Sequence, residues 1–398
     1  MNKKSVDLGL FTVTIALLVI GIFMVFDASY ARAGQMKLTG NDSLYFMKRQ
    51  AVFAVVGLIA MFLGMRIPYQ KLRKVSVGLL LVSIVGLALV FVPGLGVTVN
   101  GATRWVKCPG FGQFQPSELA KLGLVLYLAA YLTVKGKEVR DPRGFIAALI
   151  PLIPISALVM VEPDMGTTII LVLTGVAMVG IAGARKRHVA LVLALGLLAG
   201  SALILTSNYR KERVMSFRNP FKDYYGSGYQ VSQSLIALGS GGPFGVGLCE
   251  SREKLFYLPA EHTDFIFAVL GEEAGLIGTL LVTGLFLFFA ARGLRIANQT
   301  RDNFARLLAA GLSIMISGQA LLNICVVTSS VPATGVPLPF ISYGGSSLAL
   351  NLFCAGILLG ISKYNGRSEA PDSVRIPRIS RVPTQPARVH HERITRYL

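Results

Sequence analysis

Residues 9–26 read GLFTVTIALLVIGIFMVF, a run with no charged residue. At the helical rise this stretch is about 27 Å long, close to the roughly 30 Å hydrocarbon core of a bilayer. Lys3 and Lys4 precede it and no cleavage signature follows, so it reads as a first membrane anchor and not as a removable leader.

Runs of this kind recur along the chain. Of its 398 residues, 53% are hydrophobic and 15% charged, a balance outside that of soluble domains. The pattern predicts an all-α polytopic membrane protein with ten transmembrane helices, near residues 8–28, 50–66, 75–92, 117–134, 144–161, 167–184, 188–206, 263–291, 304–327 and 345–362. Interior Gly175, Gly180, Gly311 and Ser313 suit close helix approach in lipid. With the N-terminus inside, cytoplasmic segments hold 25 of the 39 lysines and arginines and outer segments 13, seven of these in residues 207–262. That asymmetry predicts an N-in, C-in topology with one large extracytoplasmic loop, 207–262, between helices 7 and 8. Residues 1–362 form the membrane domain, and 363–398 a basic cytoplasmic tail expected to be disordered. The net charge of +19 sits in short loops and the tail, which points to the anionic inner leaflet and away from nucleic acid.

Four cysteines occur, Cys108, Cys249, Cys325 and Cys354, with no CxxC or Cys/His cluster, so no metal-ligand set is predicted. Cys108 and Cys249 fall in outer loops, where a disulfide between them is open.

The ionisable residues at helix ends gather on the outer side: Asp27, Glu118, Lys121, Glu162, Asp164 and Asp264. An alternating-access transporter places such groups near the midplane; outer clustering suggests a site open to the external face. In QPSELAK, Ser117 suits an N-cap and Glu118 the helix dipole. Lys121 then either pairs with Glu118 or points into a cavity and binds an anion. Asp164 in VEPDMGT either caps a helix or faces that cavity. In ISYGGSS, Ser342 or Gly344 opens the last helix; with Gly345 and Ser346 this is a plain glycine turn or an N-terminal phosphate site. The outer loop 93–116 carries Arg104 and Lys107 around the only tryptophan, Trp105. In LPAEHTDFIFAVLGEEAG, residues 258–275, Asp264 is either a helix cap or a carboxylate whose proton affinity, raised at a hydrocarbon boundary, suits a general base. His262 beside it tunes the acid or is merely solvated. Glu272 and Glu273 lie roughly 12 Å deeper, on different faces, and need partners.

Five stretches, NGATRWVKCPGFGQFQPSELAK, VEPDMGTT, GYQVSQSLIALGSGGPFGVGL, KLFYLPAEHTDFIFAVLGEEAGLIG and PATGVPLPFISYGGSSL, closely resemble the SEDS family of bacterial cell-wall proteins, which includes RodA, FtsW and SpoVE. GYQ, SREKLFYLP and the long tail look more like the FtsW branch than the RodA branch. The resemblance implies a peptidoglycan glycosyltransferase, with inversion at the sugar, that polymerises lipid II on undecaprenyl pyrophosphate carriers outside the cytoplasmic membrane, in septal or RodA-like elongation synthesis. It carries the essential carboxylate onto Asp264 and marks Lys121 and Asp164 as cavity residues. It further implies a class B penicillin-binding protein as transpeptidase partner, other division proteins, and a divalent cation (Mg or Mn) for which no tight cage is evident. A lipid II flippase and a non-catalytic scaffold are the competing readings. Two departures stand out: Ala260 precedes Glu261 where the family reads Leu-Pro-Glu, and Asp27 stands where a small or hydroxyl residue is expected.

Overall fold

The computed structural model describes residues 6–99, 102–108, 112–205, 208–218, 220–222, 226 and 228–364. The expected tail lies outside them, apart from its first two residues. Helix α1, Leu8–Gln35, is capped by Asp7, whose carboxylate accepts from the Leu10 amide. It is followed by α2, Tyr45–Arg66, α3, Tyr69–Leu89, and α4, Pro116–Lys135. The span expected at 144–161 is instead two helices, α5 Pro142–Leu149 and α6 Leu152–Val161, meeting at 40°. Pro151 at the junction and Pro154 beyond it offer no N–H to continue the ladder. The remaining helices are α7 Met165–Ile181, α8 Lys186–Leu205, α9 Asn208–Arg218, α10 Tyr229–Gly241, α11 Ile266–Gln299, α12 Asn303–Val327 and α13 Gly345–Tyr364. Among the described residues seven helices are long and apolar enough to cross a membrane, or eight if the bent α5–α6 pair is one span.

The bundle is built around α4, α12 and α13, whose apolar windows are 61–67% buried, whereas those of α2 and α11 are 22% buried and turn Val52, Val55, Ile59, Leu280 and Leu281 outward. Exposed aliphatic rows of this kind meet lipid. α2 and α13 approach through glycines: a Cβ added at Gly356 would lie 2.1 Å from the Met61 carbonyl oxygen. Because backbone would meet backbone, neither side can yield by changing rotamer. Gly356→Leu is expected to cost about 3 kcal/mol, at the upper end for overpacking, read as a lowered unfolding midpoint in detergent.

Two of the connecting segments are ordered. Residues 93–116 hold a three-stranded antiparallel sheet, β1 Gly96–Val99, β2 Ala102–Cys108 and β3 Gly112–Phe114, with Val97 opposite Trp105 and Val106 opposite Phe114. The long loop contains two helices, α9 and α10, and α10 packs on α11. Cys249 in this loop is a free thiol, so no disulfide joins it to Cys108, whose side chain lies outside the described residues.

Helix α11 is interrupted at Gly275, where φ is +63°. The break frees backbone groups inside an apolar region, and residues 242–247 satisfy them. The amides of Leu276 and Ile277 donate to the carbonyls of Gly242 and Pro243, while Val246 and Gly247 donate to those of Glu272 and Glu273. A broken helix at membrane depth is tolerated only with such replacement partners. The glycines of SGGPFGVG are needed there, since a Cβ at Gly245 would sit 1.9 Å from the Glu273 oxygen.

Candidate active site: a polar cleft at one end of the bundle

Three connections converge where α6 meets α7, where α11 begins and where residues 331–344 lead into α13. Each is held by a side chain reaching to backbone carbonyls. Arg104 on β2 donates to the carbonyls of Glu162 (3.1 Å) and Pro163 (2.6 Å). Asn323 on α12 donates to those of Asp264 and Val336, both at 2.8 Å. Arg213 on α9 donates to Ala333 at 2.8 Å. Ser342 accepts from the Leu338 amide and donates to the Thr263 carbonyl. The loops are thereby fixed without regular structure of their own, as the setting of a chemical site requires.

Asp264 is half-buried two residues before α11. Its turn is made by Ala260, at φ +56°, whose carbonyl accepts from the amides of Thr263 and Phe265. Burial pushes the Asp264 carboxyl up to about 6; Arg104 opposes the shift, Asp164 adds to it, and Arg213 and His262 oppose it. Gly335, at φ +75°, lets the backbone pass close by: a Cβ there would lie 3.4 Å from Asp264 Oδ2 and 3.7 Å from Arg104 Nη1. Asp264 and Arg104 therefore face one small space. Asp264 does not cap α11, whose N-cap position is Phe265 with no side-chain bond.

The other sequence candidates divide. Asp164 does cap a helix: it accepts from the Thr167 amide (3.0 Å) and hydroxyl (2.9 Å) at the start of α7, while its charge still acts on Asp264. Lys121 is 2% exposed, ion-paired with Glu118 at 2.9 Å and hydrogen-bonded to Gln319. Gln319 in turn donates to the Pro337 carbonyl at 2.9 Å. The pair thus supports the 331–344 loop from beneath. His262 packs tilted against Phe46, with ring centroids 4.5 Å apart, and its Nδ1 lies 3.4 Å from Glu261, which Arg32 of α1 holds at 2.8 Å. At the start of α13 a Cβ at Gly345 would meet the Phe53 ring at 2.5 Å, and Gly344, Gly345 and Ser346 are partly exposed. Ser342 is engaged by the loop, and Gly344, Gly345 and Ser346 follow it into α13. The Tyr343 amide donates to the His262 carbonyl.

Arg213, Gln319 and Asn323 reach the site without having been singled out in the sequence, and Glu162, one of the outer ionisable cluster, was given no role. Gln319 and Asn323 carried a signal, being amides one helical turn apart inside an apolar span, where polar side chains are costly. Glu162 is fully buried with neither carboxyl oxygen hydrogen-bonded; burial and then Asp164 push its pKa up to about 8, against Arg104. Among the described residues no three His, Cys, Asp or Glu side chains are grouped to hold a metal ion, and both Asp164 oxygens are already engaged.

The cleft joins a carboxyl group whose pKa is raised to about 6 to two arginines that favour negative charge. That combination suits proton removal from a hydroxyl beside a departing anion. Residues 8–367 match the family of cell cycle proteins FTSW_RODA_SPOVE. The chain is 43% identical over 365 residues to stage V sporulation protein E of Bacillus subtilis strain 168, covering 92% of this chain and 99% of that protein. It is 42% identical over 360 residues to the probable peptidoglycan glycosyltransferase FtsW of Trichlorobacter lovleyi, covering 89% and 93%. Among solved structures, a chain from a peptidoglycan synthase complex that coordinates polymerization and crosslinking superposes with a TM-score of 0.75 at 28% identity, covering 91% of this chain and 99% of that one. The rod shape determining protein RodA of Thermus thermophilus superposes at 0.67 with 27% identity, covering 91% and 98%.

Proposed function

The chain belongs to the FtsW, RodA and SpoVE family, and from that membership and the cleft we propose that it is a peptidoglycan glycosyltransferase polymerising lipid II at the outer face of the cytoplasmic membrane. The observation that carries the reading is Asp264, half-buried beside Arg104. The acceptor's sugar hydroxyl attacks the anomeric carbon of the carrier-linked glycan from the face opposite the diphosphate. Its proton passes to Asp264, the new C–O bond forms, and the bond to the lipid diphosphate breaks with inversion. Diphosphate leaves readily, so a single base suffices where glycosidases need two carboxyl groups. Arg104 and Arg213 stabilise the departing charge. A Mg or Mn ion would travel with the diphosphate; no step here depends on one.

Ten membrane crossings follow if α1, α2, α3, α4, the α5–α6 pair, α7, α8, α11, α12 and α13 each span, with both termini inside by the lysine and arginine bias. The cleft then opens outward. Relatives named FtsW support septal wall synthesis as the setting, and the synthase-complex neighbour supports a class B penicillin-binding protein as cross-linking partner. A flippase needs a polar path to the inner leaflet. Beneath Lys121, fully buried Leu124 and Leu128 on α4 and Leu308 and Leu312 on α12 oppose one.

Reconstitution with the transpeptidase partner and labelled lipid II tests the reading: glycan polymer is expected, whereas translocation without polymer would replace the transferase by a flippase. Asp264 must be ionised to accept a proton, so kcat/KM should rise with pH through about 6. Above about 8 Glu162 ionises beside Arg104 and the rate should fall. A rate flat across both would remove Asp264 from the role of base.

A further inference from the structure

We infer that Asp27, Lys254 and Glu273 are positioning residues, forming a buried ionic latch that sets where Asp264 stands; this rests on the reading of Asp264 as the base. Lys254 Nζ lies 2.6 Å from Asp27 Oδ1 on α1 and 2.6 Å from Glu273 Oε1 on α11. All three residues are buried, at 3%, 6% and 2% exposure for Asp27, Lys254 and Glu273. The stretch around Lys254 is gripped as well. Glu273 accepts from the Ser251 amide, and Glu272 from the amides of Arg252 and Glu253 and the Ser251 hydroxyl. Seven residues further on, Arg32 of α1 holds Glu261. The segment from Ser251 to Asp264 is thus strung between α1 and α11, tied to α1 at two points, and Asp264 at its end stands two residues before the helix.

Docking of α1 on α11 does not need this cluster. The two helices pack against each other, and Asp7 and Arg292 join them at the other end, at 2.6 Å. Buried ions are a poor source of stability, and removing one partner leaves others uncompensated. What the cluster adds is a fixed place for the loop. Its members come from three segments, and one of those segments leads directly to the base. Asp27, an acid where the resemblance leads one to expect a small or hydroxyl residue, supplies one anchor, and the two glutamates of GEEAG supply the other.

The test compares Lys254→Met, Lys254→Arg and Asp27→Asn with Arg292→Met, which breaks the tie at the opposite end of the same helices. Each protein is reconstituted full length with its partner and assayed for glycan polymer, with unfolding followed in detergent. Lys254→Met is expected to lower kcat about a hundredfold, as for an ångström-scale misplacement of a reacting group, with KM within about twofold of wild type. Lys254→Arg should recover most of the loss, Asp27→Asn should fall in the same direction, and Arg292→Met should keep wild-type kcat. Wild-type kcat in both Lys254→Met and Asp27→Asn, or a loss equalled by Arg292→Met, overturns the latch. Should Lys254→Met fail to fold, Asp27→Asn, which keeps the side chain's size, decides alone. Asp264→Asn is run alongside: activity retained there defeats the base assignment, whereas loss there with unaltered latch variants defeats the latch alone.

Discussion

Asp264→Asn is expected to lower polymer synthesis by about a thousandfold, within the range for removing a positioned general base, while leaving the protein folded. The substitution preserves shape and removes only the basic oxygen. The contact from Asn323 goes to the backbone carbonyl of residue 264 and survives, as do the bonds that Ala260 accepts from residues 263 and 265. The loss should therefore fall on kcat, with KM near its wild-type value. Asp264→Glu should recover only part of the rate, because the extra methylene moves the carboxylate off the position that Asp264 holds beside Arg104. The measurement is glycan polymer formed from labelled lipid II by purified, folded protein with its partner. Wild-type synthesis by Asp264→Asn would end the assignment.

Arg104→Ala should be the next most damaging change, with a loss of about a hundredfold, the scale for deleting one group that stabilises charge in the transition state. Two effects combine. The carbonyls of Glu162 and Pro163 lose their donor, so the turn between α6 and α7 loosens. The cleft also loses a positive charge that now holds down the proton affinity of Asp264 and Glu162. The acid limb of the pH profile should accordingly move upward from about 6, since the base must ionise without its neighbouring cation. Arg104→Lys keeps the charge but loses the fork that spans two carbonyls. It should show an intermediate rate with the acid limb close to that of wild type. An unmoved limb in Arg104→Ala would mean that the guanidinium acts through the turn alone.

How far the site was legible depended on whether a residue's partner lay nearby in sequence. Glu118 and Lys121 share a helical face one turn apart, and their pairing was one of two open readings. The second fact about Lys121, its bond to Gln319, joins residues 198 positions apart and left no local trace. Asp27 was unexplained for the same reason, its cation lying 227 positions away. Glu272 and Glu273 look like two membrane-deep acids in sequence. In the structure one binds loop amides and the other shares a lysine with α1. Arg213 was one cation among several in NYRKERVMSFR, and only the packing of α9 beside residue 333 singles it out.

Apolar run length and the placement of lysine and arginine were enough to specify a multi-pass helical membrane protein, because lipid tests each segment separately: a span must be long, uncharged and internally hydrogen-bonded. The bend at Pro151, the break at Gly275 and the sheet around Arg104 were decided by the tertiary structure. The break at Gly275 leaves backbone groups that only distant chain can satisfy, as residues 242–247 do for α11. The cleft belongs to the same class. Hydrophobicity is read along the chain, but the setting of Asp264 is a sum over Arg104, Asp164, Arg213 and His262, charges from four segments that meet only when the helices pack.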